Sequence, residues 1–218
     1  MPEFPPTPHV RRPRRLVTAL FAVVAVGLMT VGAGLAMSEP DGPIDLNGAT
    51  VALEPGTTPS PDVVEKMDAV DDAGQRFAIP SVGLSVPLGA LSMTANTITP
   101  PGFTSAYLVR NLGASIDDPE QGTVFVVMHS LREGGVGPGN YLIDVADETA
   151  SIAPGTTVNV GDLSYTVTGD LAITKTGIQS QDDVWEDIPG KLVIITCLQR
   201  PDGGPSNENI VITAQLDS

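Results

Sequence analysis

A cysteine and a histidine of this chain could together act as a nucleophile and an acid/base. Cys197 is the single cysteine among 218 residues, and His129 is one of two histidines, the other being His9. Each directly follows an apolar run that predicts a buried strand. A cysteine attacks a carbonyl carbon as its thiolate, and a nearby imidazole can take and return the proton involved. The pair therefore predicts a thiol nucleophile with an imidazole acid/base. The alternative is a buried cysteine that only fills space.

The strands that end at these two residues must lie close together, because 68 positions separate the residues in the chain. From residue 76 onward, short apolar runs alternate with Gly, Pro and Asp, a pattern typical of many short strands. Helical patterns are confined to residues 140–145 and 182–187. A mostly β domain follows, either a closed barrel or a sandwich. The predicted strands are 76–79, 84–87, 123–128, 157–160, 163–168, 171–174, 191–196 and 209–216.

Composition narrows the function classes. Hydrophobic residues make up 41% of the chain and aromatic residues only 4%, which predicts an aliphatic core. A single cysteine excludes an intrachain disulfide and leaves the thiol available for reaction. The formal net charge is −15, and from residue 38 onward seven Lys and Arg stand against 25 Asp and Glu. Such an acidic body would repel phosphates, which argues against a nucleic-acid partner.

The N-terminal part predicts a membrane anchor. Residues 16–37 are 22 positions without a charged side chain, enough at about 1.5 Å per residue to span a core about 30 Å thick. The four arginines within residues 1–15 favour a cytoplasmic N-terminus and an extracellular body. The alternative is a cleaved signal peptide with a small-residue site at Gly34 to Ala36. Residues 38–74 predict an extracytoplasmic linker, and residues 75–218 predict the folded domain.

Several segments of the domain resemble one known family, the sortases, which are cysteine transpeptidases of Gram-positive cell surfaces. The run LVIITC ending at Cys197 resembles the Thr-Cys strand end of that family, and His129-Ser130 followed by GGVGPGNY resembles its histidine loop. RFAIPSVGL at 76–84 and IVITA at 210–214 resemble the opening and closing strands. The resemblance covers residues 75–217 and is greatest to the class E and F types of actinobacteria.

The resemblance implies a closed eight-stranded β-barrel with one or two short helices. It also implies cleavage of a Leu-Pro-X-Thr-Gly-like sorting signal, with Cys197 forming an acyl-thioester and His129 protonating the departing amine. The acceptor would be a cell-surface amine, such as a cell-wall precursor or a pilin lysine. No cofactor and no metal is implied.

The chain departs from the family at a third position. Sortases carry an arginine on or just before the last strand, whereas this chain has Asn207 and Asn209 there and no arginine. We favour Arg200, shortly after the cysteine, as the replacement that stabilises substrate and oxyanion. An asparagine amide and a catalytically weakened site are the alternatives, and Arg110 and Arg132 are less favoured substitutes.

Two further features are ambiguous. Thr196 either supports the substrate carbonyl or fills the strand. The acidic segment 182–187 offers four carboxylates, but its spacing fits no EF-hand loop and a solvated loop is favoured over a Ca²⁺ site. Trp185 in that segment either lines the substrate groove or anchors the loop.

The sequence thus predicts a membrane-anchored sortase-type transpeptidase. The alternatives are a sortase-fold binding or scaffold protein with weakened catalysis, and an extracytoplasmic thiol hydrolase that uses the same pair.

Overall fold

The computed structural model describes residues 42–51 and 60–218, and eight of its strands form a closed barrel. The eight strands are β1 (Val70–Ile79), β2 (Leu84–Leu91), β3 (Ala106–Val109), β4 (Val124–Val127), β7 (Thr157–Val160), β8 (Leu163–Thr174), β9 (Lys191–Leu198) and β10 (Glu208–Leu216). Their order around the barrel is β1-β2-β3-β4-β9-β10-β8-β7, and pairing of β1 with β7 closes it. The predicted closed eight-stranded barrel is confirmed.

Two differences from the predicted strands have local causes. The predicted strands 163–168 and 171–174 are one strand, β8, whose pairing with β10 continues through Gly169 across a register shift. Strand β3 was not predicted, because its four residues AYLV show no alternation and pair in parallel with β2 through a long crossover. A separate two-stranded sheet joins β5 (Ile143–Asp144) to β6 (Thr149–Ala150).

The described residues contain two short α-helices, α1 (Pro61–Met67) and α2 (Asp182–Trp185). Helix α2 lies in the predicted helical segment 182–187, whereas the other segment, 140–145, overlaps a 3₁₀ turn at Pro138–Leu142. Pro61 at the start of α1 has the fixed φ that suits the first helical turn.

Parts of the predicted linker, residues 38–74, pack against the barrel. Met67 at the end of α1 is fully buried, and its carbonyl accepts a hydrogen bond from the backbone N–H of Ser92. Leu46 donates its backbone N–H to the carbonyl of Val136. Linker-like composition did not predict these contacts, because each joins residues far apart in sequence. The boundaries between the four predicted segments stay a prediction.

The core is mostly aliphatic, as composition indicates, although its four largest fully buried side chains are aromatic, and it has two layers. Alternate residues of each strand point to opposite faces of the sheet. Val124, Val126 and Ile194 pack in the larger cluster of buried residues, whereas Phe125 and Val193 pack in a second cluster with Ile178 and Val184. Strand β4 is therefore buried on both faces, which explains its continuous apolar sequence.

No helix within residues 42–51 and 60–218 is long and apolar enough to cross a membrane. The predicted anchor at residues 16–37 lies outside the described residues and stays a prediction.

Candidate active site

The two candidate catalytic residues lie at the ends of neighbouring strands: Cys197 is the second-last residue of β9, and His129 lies two positions after β4. β4 and β9 pair in parallel from Val124↔Leu192 to Val127↔Ile195, so each pair is separated by the same 68 residues that separate His129 from Cys197. The backbone N–H of Met128 donates to the carbonyl of Ile195, which extends the ladder by one step. Because parallel strands lie about 4.8 Å apart, this register brings the end of β4, just before His129, next to the part of β9 that carries Cys197.

Both residues line a cleft of about 700 Å³ at this end of the barrel. One wall is the connection between β2 and β3, including Ile98 and Phe103, and another is the segment before β9, including Ile178 and Trp185. Cys197 and His129 are each half-buried, so both can be reached from the cleft while their strands stay fixed.

The imidazole of His129 is held by the connection between β2 and β3. Its Nε2 lies 2.8 Å from the carbonyl oxygen of Pro100, and the Phe103 ring stacks on it with centroids 4.6 Å apart and an interplanar angle of 23°. A carbonyl accepts only, so Nε2 carries the proton in this contact. The connection thereby fixes both the ring plane and the orientation of the candidate acid/base.

A buried hydrogen-bond network joins the ends of β4 and β9. The Ser130 hydroxyl donates to the carbonyl of Cys197. The amide of Gln199 in turn donates to the carbonyl of Ser130 at 3.0 Å and to its hydroxyl at 2.9 Å. Because Ser130 and Gln199 flank the candidate pair, their bonds restrain the backbone on which the thiol and the imidazole are mounted.

The loop after His129 is closed by small residues and one asparagine. Gly139 donates its backbone N–H to the His129 carbonyl at 2.8 Å. Oδ1 of Asn140 accepts from the backbone N–H groups of Leu131 and Gly137 at 2.7 and 2.8 Å, and its Nδ2 donates to the Leu131 carbonyl at 2.8 Å. These contacts hold the loop against the strand end that carries the imidazole.

Thr196 lies against this loop. Its side chain is buried, and a Cβ added at Gly139 would lie 2.0 Å from its Oγ1. It alternates with Cys197 along β9, so the two side chains point to opposite faces. Thr196 also lines the cleft, and its buried Oγ1 has no hydrogen-bond partner among the described residues, so the supporting and the structural interpretation both stand.

The register of the last strand decides which asparagine faces the cysteine. Asn209 pairs with Cys197 across β9 and β10 and lines the cleft, whereas Asn207 is exposed. Arg200, our favoured replacement for the arginine, forms an ion pair with Asp202 and is not among the side chains that line the cleft. The structure thus brings Cys197 and His129 together and leaves Arg200 on the adjoining loop.

The two less favoured arginines lie in different places. Arg110 is paired with Asp68 at 2.9 Å, away from the cleft. Arg132 lines the cleft, and its side chain is only 17% exposed. Its position three residues after His129 was visible in the sequence, but its burial was not.

Trp185 combines both roles that the sequence leaves open. It lines the cleft, its indole N–H donates to the Ile178 carbonyl at 2.6 Å, and its ring stacks on Phe125 with centroids 5.8 Å apart. In the same acidic segment, Asp187 accepts from the backbone N–H of Thr123 at 2.7 Å. Within the described part of the chain, no three His, Cys, Asp or Glu side chains are grouped as metal ligands.

Sequence reasoning missed three residues around the pair: Pro100, Phe103 and Gln199. A backbone carbonyl such as that of Pro100 leaves no sequence signal. Phe103 offered a weak one, since it is an isolated aromatic in a chain with few aromatics. Gln199 lies two residues after Cys197, but only the fold shows that it is buried and bonded to Ser130.

Comparison with known proteins gives a likeness of structure but not of sequence. No protein-family model and no curated protein matches the chain. The solved structures that resemble it include sortase C-1 from Actinomyces oris, with a TM-score of 0.50 and 15% identity over 79% of this chain and 91% of that one. Sortase A of Listeria monocytogenes has a TM-score of 0.44 and 18% identity over 66% and 86% of the two chains. Sortase C-1 from Streptococcus pneumoniae has a TM-score of 0.49 and 13% identity over 68% and 69%. The likeness to the Actinomyces oris structure is a likeness of fold. The fold of this chain is that of the sortases.

Proposed function

We propose that this protein is a cysteine transpeptidase of the sortase type. The observation that carries the proposal is that the single thiol and the imidazole line one cleft at the ends of two adjacent parallel strands, whose paired residues have the same spacing of 68 residues. Both line one cleft, and the bonds of Ser130 and Gln199 hold their strand ends together. A thiol and an imidazole fixed in this way are the groups that acyl transfer requires.

In the first step the Cys197 thiolate attacks the carbonyl carbon of the scissile peptide bond. The new S–C bond forms as the carbonyl electron pair moves onto oxygen. When this pair returns, the C–N bond breaks, and His129 delivers a proton to the departing amine. The product is an acyl-thioester on Cys197 together with a free amine.

In the second step an incoming amine attacks the thioester carbonyl. A C–N bond forms, the S–C bond breaks, and His129 takes the proton that the amine loses. Water in place of the amine would give hydrolysis. The apolar side of the cleft, with Ile98, Phe103 and Trp185, suits a partly apolar peptide segment.

The finer parts of the proposal rest on sequence. We propose a Leu-Pro-X-Thr-Gly-like sorting signal as substrate and a cell-surface amine, such as a cell-wall precursor or a pilin lysine, as acceptor. Residues 16–37 would hold the domain at the outer face of the cell membrane. The assignment to the class E and F types rests on the resemblance of the motifs.

The experiment is acyl-enzyme capture with the full-length protein in detergent. Incubation with a peptide that contains Leu-Pro-Glu-Thr-Gly should add the peptide's N-terminal fragment to Cys197, as measured by intact mass and peptide mapping. Added triglycine should then release a transpeptidation product. Cys197→Ala should abolish the adduct. His129→Ala should lower turnover by about 10²–10⁴-fold because a general acid/base is lost.

His9→Ala is the matched control, since it removes the chain's other imidazole and lies outside the described residues. It should leave turnover unchanged. Cleavage that persists in Cys197→Ala would refute the mechanism. Release of only hydrolysed peptide at saturating triglycine would favour a thiol hydrolase.

A second candidate is a sortase-fold binding or scaffold protein with weak catalysis. The neutral Asn209 opposite Cys197 favours it, because a neutral amide stabilises an oxyanion less than a guanidinium does. Peptide binding by calorimetry without any thioester in the wild-type protein would support this candidate over the enzyme.

A further inference from the structure

An acyl-transfer site needs donors where negative charge develops on the carbonyl oxygen. The strand position opposite Cys197 offers the uncharged Asn209, and Arg200 is paired with Asp202 on the adjoining loop. Arg132 and Lys175 are the cationic side chains among the described residues that line the cleft. If the proposed function is correct, Arg132 and Lys175 are therefore the candidates for the charged donor.

Arg132 lies three residues after His129, in the loop that follows β4. Its Nη1 is 3.5 Å from the carbonyl of Gly203, in the loop that leads from β9 to β10. The side chain thus bridges the loop after the imidazole and the loop after the thiol. Its position is set by the same backbone that positions the catalytic pair.

The side chain of Arg132 is half-buried, and its donors are only partly satisfied. Its Nε is buried and has no hydrogen-bond partner among the described residues. Its ion-pair partner, the carboxylate of Glu133, is 3.6 Å away and 56% exposed. A guanidinium carries five N–H donors, and leaving a buried donor without a partner costs free energy. A ligand with acceptor oxygens that enters the cleft could satisfy these donors.

Arg132 is a better candidate than Lys175 on chemical grounds. The planar fork of a guanidinium directs two or more donors toward a carbonyl oxygen, whereas an ammonium is a strongly hydrated point charge. Lys175 lies beyond β8 on the far side of the last strand, where its backbone N–H bonds the carbonyl of Asn207. Arg132 instead lies on the side of the imidazole.

We propose that Arg132 takes the place of the missing late-strand arginine and donates hydrogen bonds to the scissile carbonyl oxygen, more strongly as that oxygen becomes negative. This inference rests on the proposed function. The covalent step is unchanged: the S–C bond forms, the carbonyl electron pair moves to oxygen beside the guanidinium, and it returns as the C–N bond breaks and His129 protonates the amine.

The test is single-turnover thioester formation on the full-length protein with the Leu-Pro-Glu-Thr-Gly peptide, followed by mass spectrometry. Arg132→Met keeps most of the side-chain volume and removes the charge, and should slow acylation by about 10²–10³-fold, the usual cost of losing an oxyanion donor. Arg132→Ala should slow it at least as much. Arg76→Ala is the matched arginine control and should change the rate by less than about twofold, since this exposed side chain bonds Ser85 and does not line the cleft.

A second variant distinguishes a catalytic role of Arg132 from a purely structural one, because it supplies the guanidinium from another position. In the Arg132→Met background, Asn209→Arg restores a guanidinium opposite Cys197 and should recover at least about tenfold of the lost rate, by the same donor argument. Thermal unfolding of each variant checks the fold.

An unchanged rate in Arg132→Met, a loss in Lys175→Ala instead, or no recovery in the double variant would each overturn the proposal. These outcomes do not bear on the proposed function, which fails only if the wild-type protein forms no thioester or if Cys197→Ala still cleaves the peptide.

Discussion

The hydroxyl groups of two buried tyrosines are in opposite situations. The Tyr165 hydroxyl is buried without a hydrogen-bond partner among the described residues, and burial raises its pKa to about 12. The Tyr107 hydroxyl donates to Asp71 at 2.6 Å. Burial, followed by the bond to that carboxylate, raises the pKa of Tyr107 far above its ordinary value. The two tyrosine hydroxyl groups are therefore expected to contribute differently to the free energy of unfolding.

Tyr165→Phe should leave the free energy of unfolding unchanged or raise it by up to about 1 kcal/mol, because it removes an unsatisfied buried hydroxyl. Tyr107→Phe is the matched comparison and should lower it by about 1–2 kcal/mol, because a bond to a carboxylate is lost. Urea unfolding measures both. A larger loss in Tyr165→Phe than in Tyr107→Phe would contradict the interpretation.

The raised pKa of Tyr165 also predicts how the stability of the protein changes at alkaline pH. The folded state favours the neutral phenol of Tyr165. The contribution of this residue to the free energy of unfolding is therefore fully present below the unfolded pKa of about 10. It is lost as pH rises from there toward the folded pKa of about 12. Tyr165→Phe should therefore reduce the alkaline loss of stability.

At the scale of elements, the close approach between the histidine loop and β9 depends on Gly139. A Cβ there would lie 2.0 Å from Oγ1 of Thr196 and 2.9 Å from the carbonyl oxygen of His129. The loop or the strand would have to move, and the imidazole is attached to the loop. A side chain at this position therefore affects both stability and the geometry of the pair.

Gly139→Ala should lower the free energy of unfolding by about 1–3 kcal/mol, the usual cost of overpacking, and should slow thioester formation. Thr196→Ala in the same chain should recover part of the stability, because it removes the nearest clashing atom. Gly169→Ala is the control: its Cβ would meet only Thr213 Oγ1, at 3.7 Å. Equal losses at positions 139 and 169 would show that the contact with Thr196 is not the cause.

Elements with a clear local sequence pattern were predicted, whereas elements that depend on contacts distant in sequence were missed. β7 was predicted with its observed bounds, because Thr157–Val160 alternates and a Gly-Asp turn follows it. β4 was predicted to within a residue at each end from its continuous apolar run. β3 and α1 were missed, because β3 is short and parallel to a distant partner and α1 is stabilised by burial of Met67.

At the scale of the whole molecule, Asp45 ties the segment before the barrel to the histidine loop. Its carboxylate accepts from the backbone N–H groups of Val136 at 2.9 Å, Ala49 at 2.8 Å and Asn47 at 2.9 Å. These bonds, that of Val136 first, favour the charged form and lower the pKa of Asp45 below its ordinary value.

Because the folded pKa of Asp45 is depressed, its stabilising contribution is present above the unfolded pKa and is lost as pH falls through the folded pKa. Asp45→Asn should lower the unfolding temperature near pH 7, and the difference from the wild type should shrink below about pH 3.5. Asp72→Asn, at an exposed carboxylate that bonds only the nearby N–H of Gly74, is the control and should change it less. A pH-independent deficit in Asp45→Asn would contradict the linkage.

The sequence by itself determined the aliphatic β domain and its two candidate catalytic residues. Strand periodicity, turn residues and the uniqueness of the thiol are local or compositional properties, so they can be read without a fold. For the same reason the cysteine and the histidine could be assigned to strand ends, whereas the pairing of their strands, 68 residues apart in sequence, came from the structure.

Only the tertiary structure decided what surrounds the pair. The register of β9 with β10 set Asn209, and not Asn207, opposite Cys197. Loop packing buried Arg132 in the cleft and paired Arg200 with Asp202 outside it. Register and loop burial arise from contacts between residues far apart in sequence, and a one-residue slip reverses which face a side chain occupies. No local pattern could therefore distinguish the two arginines or the two asparagines.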